Sequence, residues 1–367
     1  MVGCGAMGAA TGWRLATRGA QVVCFDRHSP PHTLGSSHGE SRIIRTAYFE
    51  GPWYVPLVQE AFPLWRDLEQ ESGSNLLTMT GALMIGSPLA EAVVGAKAAA
   101  IAHGLEAHVL DADELRRRYP AHVIAVDDVA VLDVQAGFIR PEDAVAAMIE
   151  RVVAIGGEVR RGVVVKDLSA QTDGVEVATD ETRETFDAVV IAAGPWTHDL
   201  FPLPLSVERQ VMAWFEIEAE GDDRFTPERF PVFIHETDGV GVYGMPTLDG
   251  TSLKIARHHG GELTEPQTVR REVTDAELDP LRTFVTTCLR GVTTRVTRTA
   301  VCMYTNTPDE DFIIDLHPDD PRIVVISACS GHGFKFAPVV GDIAADLVSY
   351  GRTVRDISRF SASRFGH

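Results

Sequence analysis

The sequence predicts an α/β protein: a Rossmann-like dinucleotide-binding domain built from separated segments, joined to an antiparallel-sheet domain. Three observations predict it. Gly3-Cys4-Gly5-Ala6-Met7-Gly8 opens the chain with a GxGxxG pattern, alternating strand-like texture begins near residue 206, and α/β texture returns after about 300. A chain of 367 residues favours two domains. The pattern changes assign 1–80, 135–205 and 300–367 to the nucleotide domain, and 81–134 and 206–299 to the second.

In the fingerprint, Gly3 and Gly5 allow a tight turn and close approach to a pyrophosphate, and Gly8 lets a helix pack on a strand. Residues 9–18 then read as a helix of small side chains stopped by Gly19, and 21–25 as a buried strand ending in Asp26. That acid stands where a carboxylate takes ribose hydroxyls. Leu57, Ala61, Leu64 and Leu68 carry helical spacing, with Pro63 expected to kink or break the run. A second helix is expected at 142–155, stopped by Gly156-Gly157, and strands at 159–168, 173–178 and 187–192. After 300 come Phe312-Ile313-Ile314, the strand 323–326 and a helix from Pro338 to Tyr350.

Composition narrows the function. A net charge of -19 argues against nucleic-acid or anionic-membrane partners. No apolar run approaches the ~18 residues of a membrane span. The first fifteen residues lack the basic start and apolar stretch of a signal peptide. Five cysteines, at 4, 24, 288, 302 and 329, show no CxxC spacing, which fits neither a disulfide framework nor zinc and suits a reducing cytoplasm.

Asp249-Gly250 between alternating runs signals a two-residue hairpin. That loop would pair Leu248 with Thr251, Met245 with Lys254, Tyr243 with Ala256 and Gly241 with His258. Tyr243, Met245, Lys254 and His258 then share one face. Lys254 is either a surface lysine or a desolvated cation beside a redox ring. Ser330-Gly331-His332-Gly333-Phe334-Lys335-Phe336 precedes the last helix, either as a plain connection or as an anion site at a helix start. Arg42 and Arg45 lie three apart, sharing one side of a helical turn or diverging if extended, and singly each suits a salt bridge. Cys302 alone would be a core thiol.

Together these stretches resemble the monomeric sarcosine oxidase and N-methyl-L-tryptophan oxidase family of flavoenzymes. The resemblance runs through GSSHGESRIIRTAY (35–48), VYGMP (242–246), LKIARHHGG (253–261), AVCMYTNTPDEDFIID (300–315) and SGHGFKF (330–336). LKIARHHGG and the helix at 337–346 look closer to the N-methyltryptophan branch. The resemblance implies a D-amino-acid-oxidase-like architecture with a glutathione-reductase-type FAD domain, and FAD attached covalently through Cys302. It implies cofactor contacts from Gly3, Gly5, Gly8, Asp26, Ser36, Arg42, Val165, Gly331 and Gly333. It places the substrate carboxylate on Arg45 and Lys335, contacts of about 1.5–3 kcal/mol each. Tyr48, Tyr243, His258 and His332 would line the site, and Lys254 would activate oxygen across the flavin. Ser37, Thr46, Phe49 and Arg257 depart from the family pattern, which touches pocket shape and hence substrate identity.

The expected activity is oxidation of a small N-methyl amino acid by a soluble, cytoplasmic monomer, with molecular oxygen as acceptor, giving the amino acid, formaldehyde and hydrogen peroxide without a metal. Competing readings are a dehydrogenase with a protein acceptor, a non-catalytic relative and an NAD-linked dehydrogenase. The strand expected before Gly3 is not spelled out ahead of the turn. The reading therefore expects a working chain roughly eight to ten residues longer, and a gap or exposed strand edge beside 21–25.

Overall fold

A phosphate turn needs a strand before it and a helix after it, and the N-terminal domain is organised around that junction. The computed structural model describes residues 1–366. Strand Val23–Asp26 runs parallel to Glu158–Arg161, and Val189–Ile191 runs parallel to Ile323–Ser327, which pairs antiparallel with Ile313–Leu316. Between these two halves lies Met1–Gly3, with Val2 bridging Phe25 on one side and Ile191 on the other. Met1 and Gly3 bond to Phe25, Val2 bonds to Val190 and Ala192, and the terminal ammonium donates to the Val23 carbonyl at 2.7 Å. The slot beside 23–26 is thus filled at its carboxyl end, not open along its length.

Helix Ala6–Thr17 is rich in small residues because it is packed on both sides. A side chain at Gly341, on helix Ala337–Tyr350, would meet the backbone of Ala10 at 2.6 Å, and one at Gly12 would meet Cys24 and Val152 at 3.3 Å. Gly19, at φ +88°, ends the helix region. Helix Val55–Ser72 runs unbroken through Pro63, so of the two expected effects the break does not occur. Pro63 and Gln59, whose carbonyl loses its partner, both lie on the exposed face, where water can satisfy that carbonyl. The expected strand 159–168 is divided at Gly162, φ +74°; its second part joins the antiparallel sheet 167–171, 174–178 and 183–186, which packs Phe186 edge-on to Phe25.

The second sheet has eight strands, in the order 292–306, 206–217, 252–257, 240–244, 232–237, 82–86, 129–133 and 107–110. All neighbours are antiparallel except 82–86 with 232–237. Strand Val292–Asn306 runs straight through the expected junction at 299/300, so Cys302 sits on this sheet. The register of 240–244 with 252–257, Tyr243 opposite Ala256, is the one the hairpin pattern predicts. The loop is wider than two residues, because the Asp249 carboxylate gathers Thr247, Thr251 and Ser252. Helix Asp275–Cys288 covers one face with Leu278, Leu281, Phe284 and Val285; the other face looks toward the nucleotide domain. No helix among the described residues is long and apolar enough to cross a membrane.

The core of this second domain holds two neutral histidines. His122 stacks on Phe230 at 4.9 Å with neither ring nitrogen partnered among the described residues, and His235 lies edge-on to Phe284 with Nδ1 likewise unpartnered. Burial, and for His122 the neighbouring His235, lowers their pKa values to about 3 and about 4; Asp128 works against burial at His235. The unfolded chain protonates both near 6.5, so stability is complete above that pH and falls as pH drops below it. At pH 5.5 each histidine should cost roughly 1.4 kcal/mol. Urea unfolding at pH 7.5 and 5.5 should show a loss, and His122→Phe should reduce it by roughly 1.4 kcal/mol; a pH dependence unchanged in that variant would contradict the neutral-histidine core.

Candidate active site

One long cavity runs from the fingerprint turn to the face of the large sheet, lined by residues from both domains. At the turn, Gly3 has φ +89° and a side chain there would meet the Ala192 carbonyl at 2.5 Å; one at Gly8 would meet the Gly3 carbonyl at 1.9 Å. Gly8 therefore acts one layer behind the lining, letting helix 6–17 approach the turn. Ser37 Oγ accepts the Ala6 N–H at the helix start. Asp26 accepts the Cys4 and His28 amides at 2.8 Å each. Burial opposes its charge, but His32 and those amides outweigh burial and hold its pKa below the usual value. Gly3, Gly5, Asp26, Ser36 and Val165 all line the cavity, and Ser36 Oγ and Trp196 Nε1 are buried there without partners among the described residues. A glycine cradle, a ribose-level acid and free donors along the wall fit FAD.

At the sheet end the cavity reaches Cys302. Burial pushes its thiol up, but Arg42 Nη2, 3.4 Å from Sγ, and then His38 bring the pKa down to about 6. Arg42 is itself fixed by the Ser36 and Ser41 carbonyls at 3.1 and 2.9 Å. A thiolate beside an arginine is a ready nucleophile. Gly331, φ +74°, could not carry a side chain without striking the Tyr304 ring at 2.7 Å, nor Gly333 without striking the Ala328 carbonyl at 1.8 Å. Lys254 is buried but does not line the cavity: its ammonium donates to the Gly39 and Ser41 carbonyls at 2.7 Å each, 5.9 Å from the Tyr243 ring. Burial and then Arg42 draw its pKa well down.

Arg42 and Arg45 diverge, as extended backbone at 42–44 requires. Arg45 turns to the Glu50 carboxylate, which it grips through both oxygens, and to the Ala47 carbonyl at 3.2 Å. Burial alone would raise the Glu50 pKa; Arg45, His332 and Lys335 hold it at about 2. Lys335 donates to the His332 carbonyl at 2.6 Å and to Tyr48 Oη at 3.2 Å. His332 Nε2 faces the Glu310 carbonyl at 3.1 Å and so carries the proton; Nδ1 then accepts from the Tyr48 hydroxyl at 2.6 Å. That requires a neutral imidazole, and burial lowers its pKa to about 3. Tyr48 stands behind the lining, while Arg45, Glu50, His332 and Lys335 reach it. Burial, followed by Arg45, lowers Lys335 to about 7. Tyr243, Met245 and His258 close the opposite side, with His258 Nδ1 3.4 Å from Tyr304 Oη and its pKa lowered by burial to about 3.

All the sequence-derived site residues thus line this one cavity except Gly8, Tyr48 and Lys254, which stand directly behind it. Sequence reasoning missed Glu50, His38 and Tyr304, and took Ser37 only as a departure from the family pattern. Ser37 and His38 lie inside the 35–48 motif, and an acid five residues after Arg45 was the available signal for Glu50.

Comparison with known proteins gives the chain's family and fold. Residues 1–347 match the family model described as FAD dependent oxidoreductase. The chain is 39% identical to the monomeric sarcosine oxidase of Streptomyces avermitilis, over 99% of this chain and 96% of that protein. It is 34% identical to the N-methyl-L-tryptophan oxidase of Yersinia pestis (strain Pestoides F), over 100% of this chain and 98% of that one. Overall identity therefore does not follow the local lean of 253–261 toward the N-methyltryptophan branch. Among solved structures, NikD, an unusual amino acid oxidase essential for nikkomycin biosynthesis, superposes with a TM-score of 0.86 at 27% identity, covering 98% of this chain and 95% of that one.

The arginine–thiol contact gives a direct test. In flavin-free protein, alkylation of Cys302 by iodoacetamide should follow a pH midpoint near 6, and Arg42→Met should move it up by a unit or more, of order 1 kcal/mol. A wild-type midpoint above 8 would remove Arg42 from that role.

Proposed function

The chain belongs to the FAD dependent oxidoreductase family, and we propose that it oxidises an N-methyl amino acid to the amino acid, formaldehyde and hydrogen peroxide. One observation carries this reading: Arg45 and Lys335 both open onto the cavity that begins at the phosphate turn and contains Cys302. FAD would be held by Gly3, Gly5, Asp26, Ser36, Arg42, Val165, Gly331 and Gly333, with the Cys302 thiolate as its covalent anchor. When bound, it would accept a hydride equivalent from the substrate's N-methyl carbon and return the electrons to oxygen as peroxide. The oxidised substrate then takes up water and releases formaldehyde.

The protein's part is binding and electrostatics. The substrate carboxylate would bind Arg45 and Lys335, competing with Glu50 for the guanidinium. Tyr48 and His332 hold the Lys335 ammonium by its hydrogens and leave its charge facing the cavity. A buried site favours the neutral substrate amine, the form that can release hydride from its methyl group. Tyr243 and His258 bound the opposite side. Lys254, one layer behind Tyr243, would favour the negative charge that develops on oxygen, an effect of order 3–4 kcal/mol.

A panel of sarcosine, N-methyl-L-tryptophan, pipecolate and fructosyl amino acids, assayed for peroxide and formaldehyde, tests the reading. An N-methyl amino acid should yield both products in equal amounts. Arg45→Met or Lys335→Met should weaken its apparent affinity roughly 10- to 100-fold, and Lys254→Met should slow the oxygen-dependent half-reaction far more than reduction. Peroxide from no N-methyl amino acid would overturn the proposal.

A further inference from the structure

A fully buried carboxylate away from the cavity ties both carboxylate-binding cations to the large sheet. Asp133 ends strand Val129–Asp133, between Ala82 and Ala107, and has no exposed surface. No lysine, arginine or histidine among the described residues lies within ion-pair distance of it. Four donors hold its charge instead: the Thr46 N–H at 2.5 Å, the Ala47 N–H at 2.8 Å, the Thr46 hydroxyl at 3.0 Å and the Gln135 N–H at 3.0 Å. Three of those four belong to the two residues between Arg45 and Tyr48.

Each end of that short segment serves a different cation. Ala47, pinned through its N–H by Asp133, gives its carbonyl to Arg45 Nη1 at 3.2 Å. Tyr48, the next residue, accepts a hydrogen bond from the Lys335 ammonium at 3.2 Å and donates its hydroxyl hydrogen to His332 Nδ1 at 2.6 Å. A buried anion is costly unless its acceptor positions are filled, so the geometry of Asp133 and of residues 46–47 must be satisfied together. The segment then has one conformation, and it sets both cations at once.

We propose that Asp133 is a positioning residue for carboxylate recognition, acting on Arg45 through Ala47 and on Lys335 through Tyr48. This rests on the carboxylate reading of the site given above. Thr46 supplies the hydroxyl of the clamp, a contact that a substitution can remove without touching the carboxylate.

The test uses flavin-loaded protein and methoxyacetate, in which an ether oxygen replaces the amine, with methoxyacetamide as the uncharged control; binding is read from the flavin absorption spectrum. Asp133→Ala should weaken methoxyacetate binding roughly 100-fold, and Asp133→Asn, which keeps one acceptor oxygen, roughly tenfold. Thr46→Val should lose about threefold, and it carries the test if Asp133→Ala does not fold. Methoxyacetamide affinity should stay put throughout, and with substrate the loss should fall on KM more than on kcat. Methoxyacetate affinity within twofold of wild type in the Asp133 variants, or equal losses for acid and amide, would overturn the assignment. If wild type itself does not prefer the acid to the amide, the carboxylate reading fails first and takes this inference with it.

Discussion

Positive charge buried around one cavity is the constraint on which the rest of this structure depends. Arg45, Lys254 and Lys335 are each nearly inaccessible, and Arg42 is half-buried beside them. Ionised groups removed from water must be met by opposite charge or by dipoles, or they shift their protonation. Each of these solves the problem differently. Arg42 draws a thiolate from Cys302, Arg45 holds Glu50, Lys254 sits on two carbonyls, and Lys335 is left with a pKa of about 7. The cavity is therefore short of negative charge, which suits a cofactor that becomes anionic on reduction and a substrate that carries a carboxylate.

The two domains divide this task. The nucleotide domain supplies the turn, the acid at 26 and the Gly331–Lys335 segment; the large sheet supplies Tyr243, His258 and Cys302. Residues 35–50 run between them and bear both arginines, so their backbone must be held from both sides. Lys254 and Asp133 do this from the sheet, through the carbonyls of Gly39 and Ser41 and the amides of Thr46 and Ala47. From the nucleotide domain, Glu142 takes the Gly39 and Glu40 amides.

What was legible in the sequence was what local rules govern. The Gly3–Gly8 turn follows from steric demands within a few residues, and the pairing of Tyr243 with Ala256 follows from the period-two alternation of side chains. The face of Lys254 came with that register, but its acceptors lie more than two hundred residues away, where no pattern points. The unbroken run through Pro63 is not legible locally, because its cost depends on exposure of the freed carbonyl, which only packing decides. Asp133 closes an apolar strand and reads as an ordinary strand end until Thr46 and Ala47 are seen against it. Motif resemblance points to the cavity; the clamps that shape it join residues far apart in the chain, where no local pattern points.

On the proposed reading, the substrate carboxylate completes a buried cation site at Lys335. Proton uptake on binding methoxyacetate to flavin-loaded protein measures this most directly, by calorimetry in two buffers of different ionisation enthalpy. With Lys335 at about 7 in the free site, binding at pH 8 should take up close to one proton and binding at pH 6 close to none. Binding at pH 8 with no proton uptake would mean that the carboxylate does not meet Lys335.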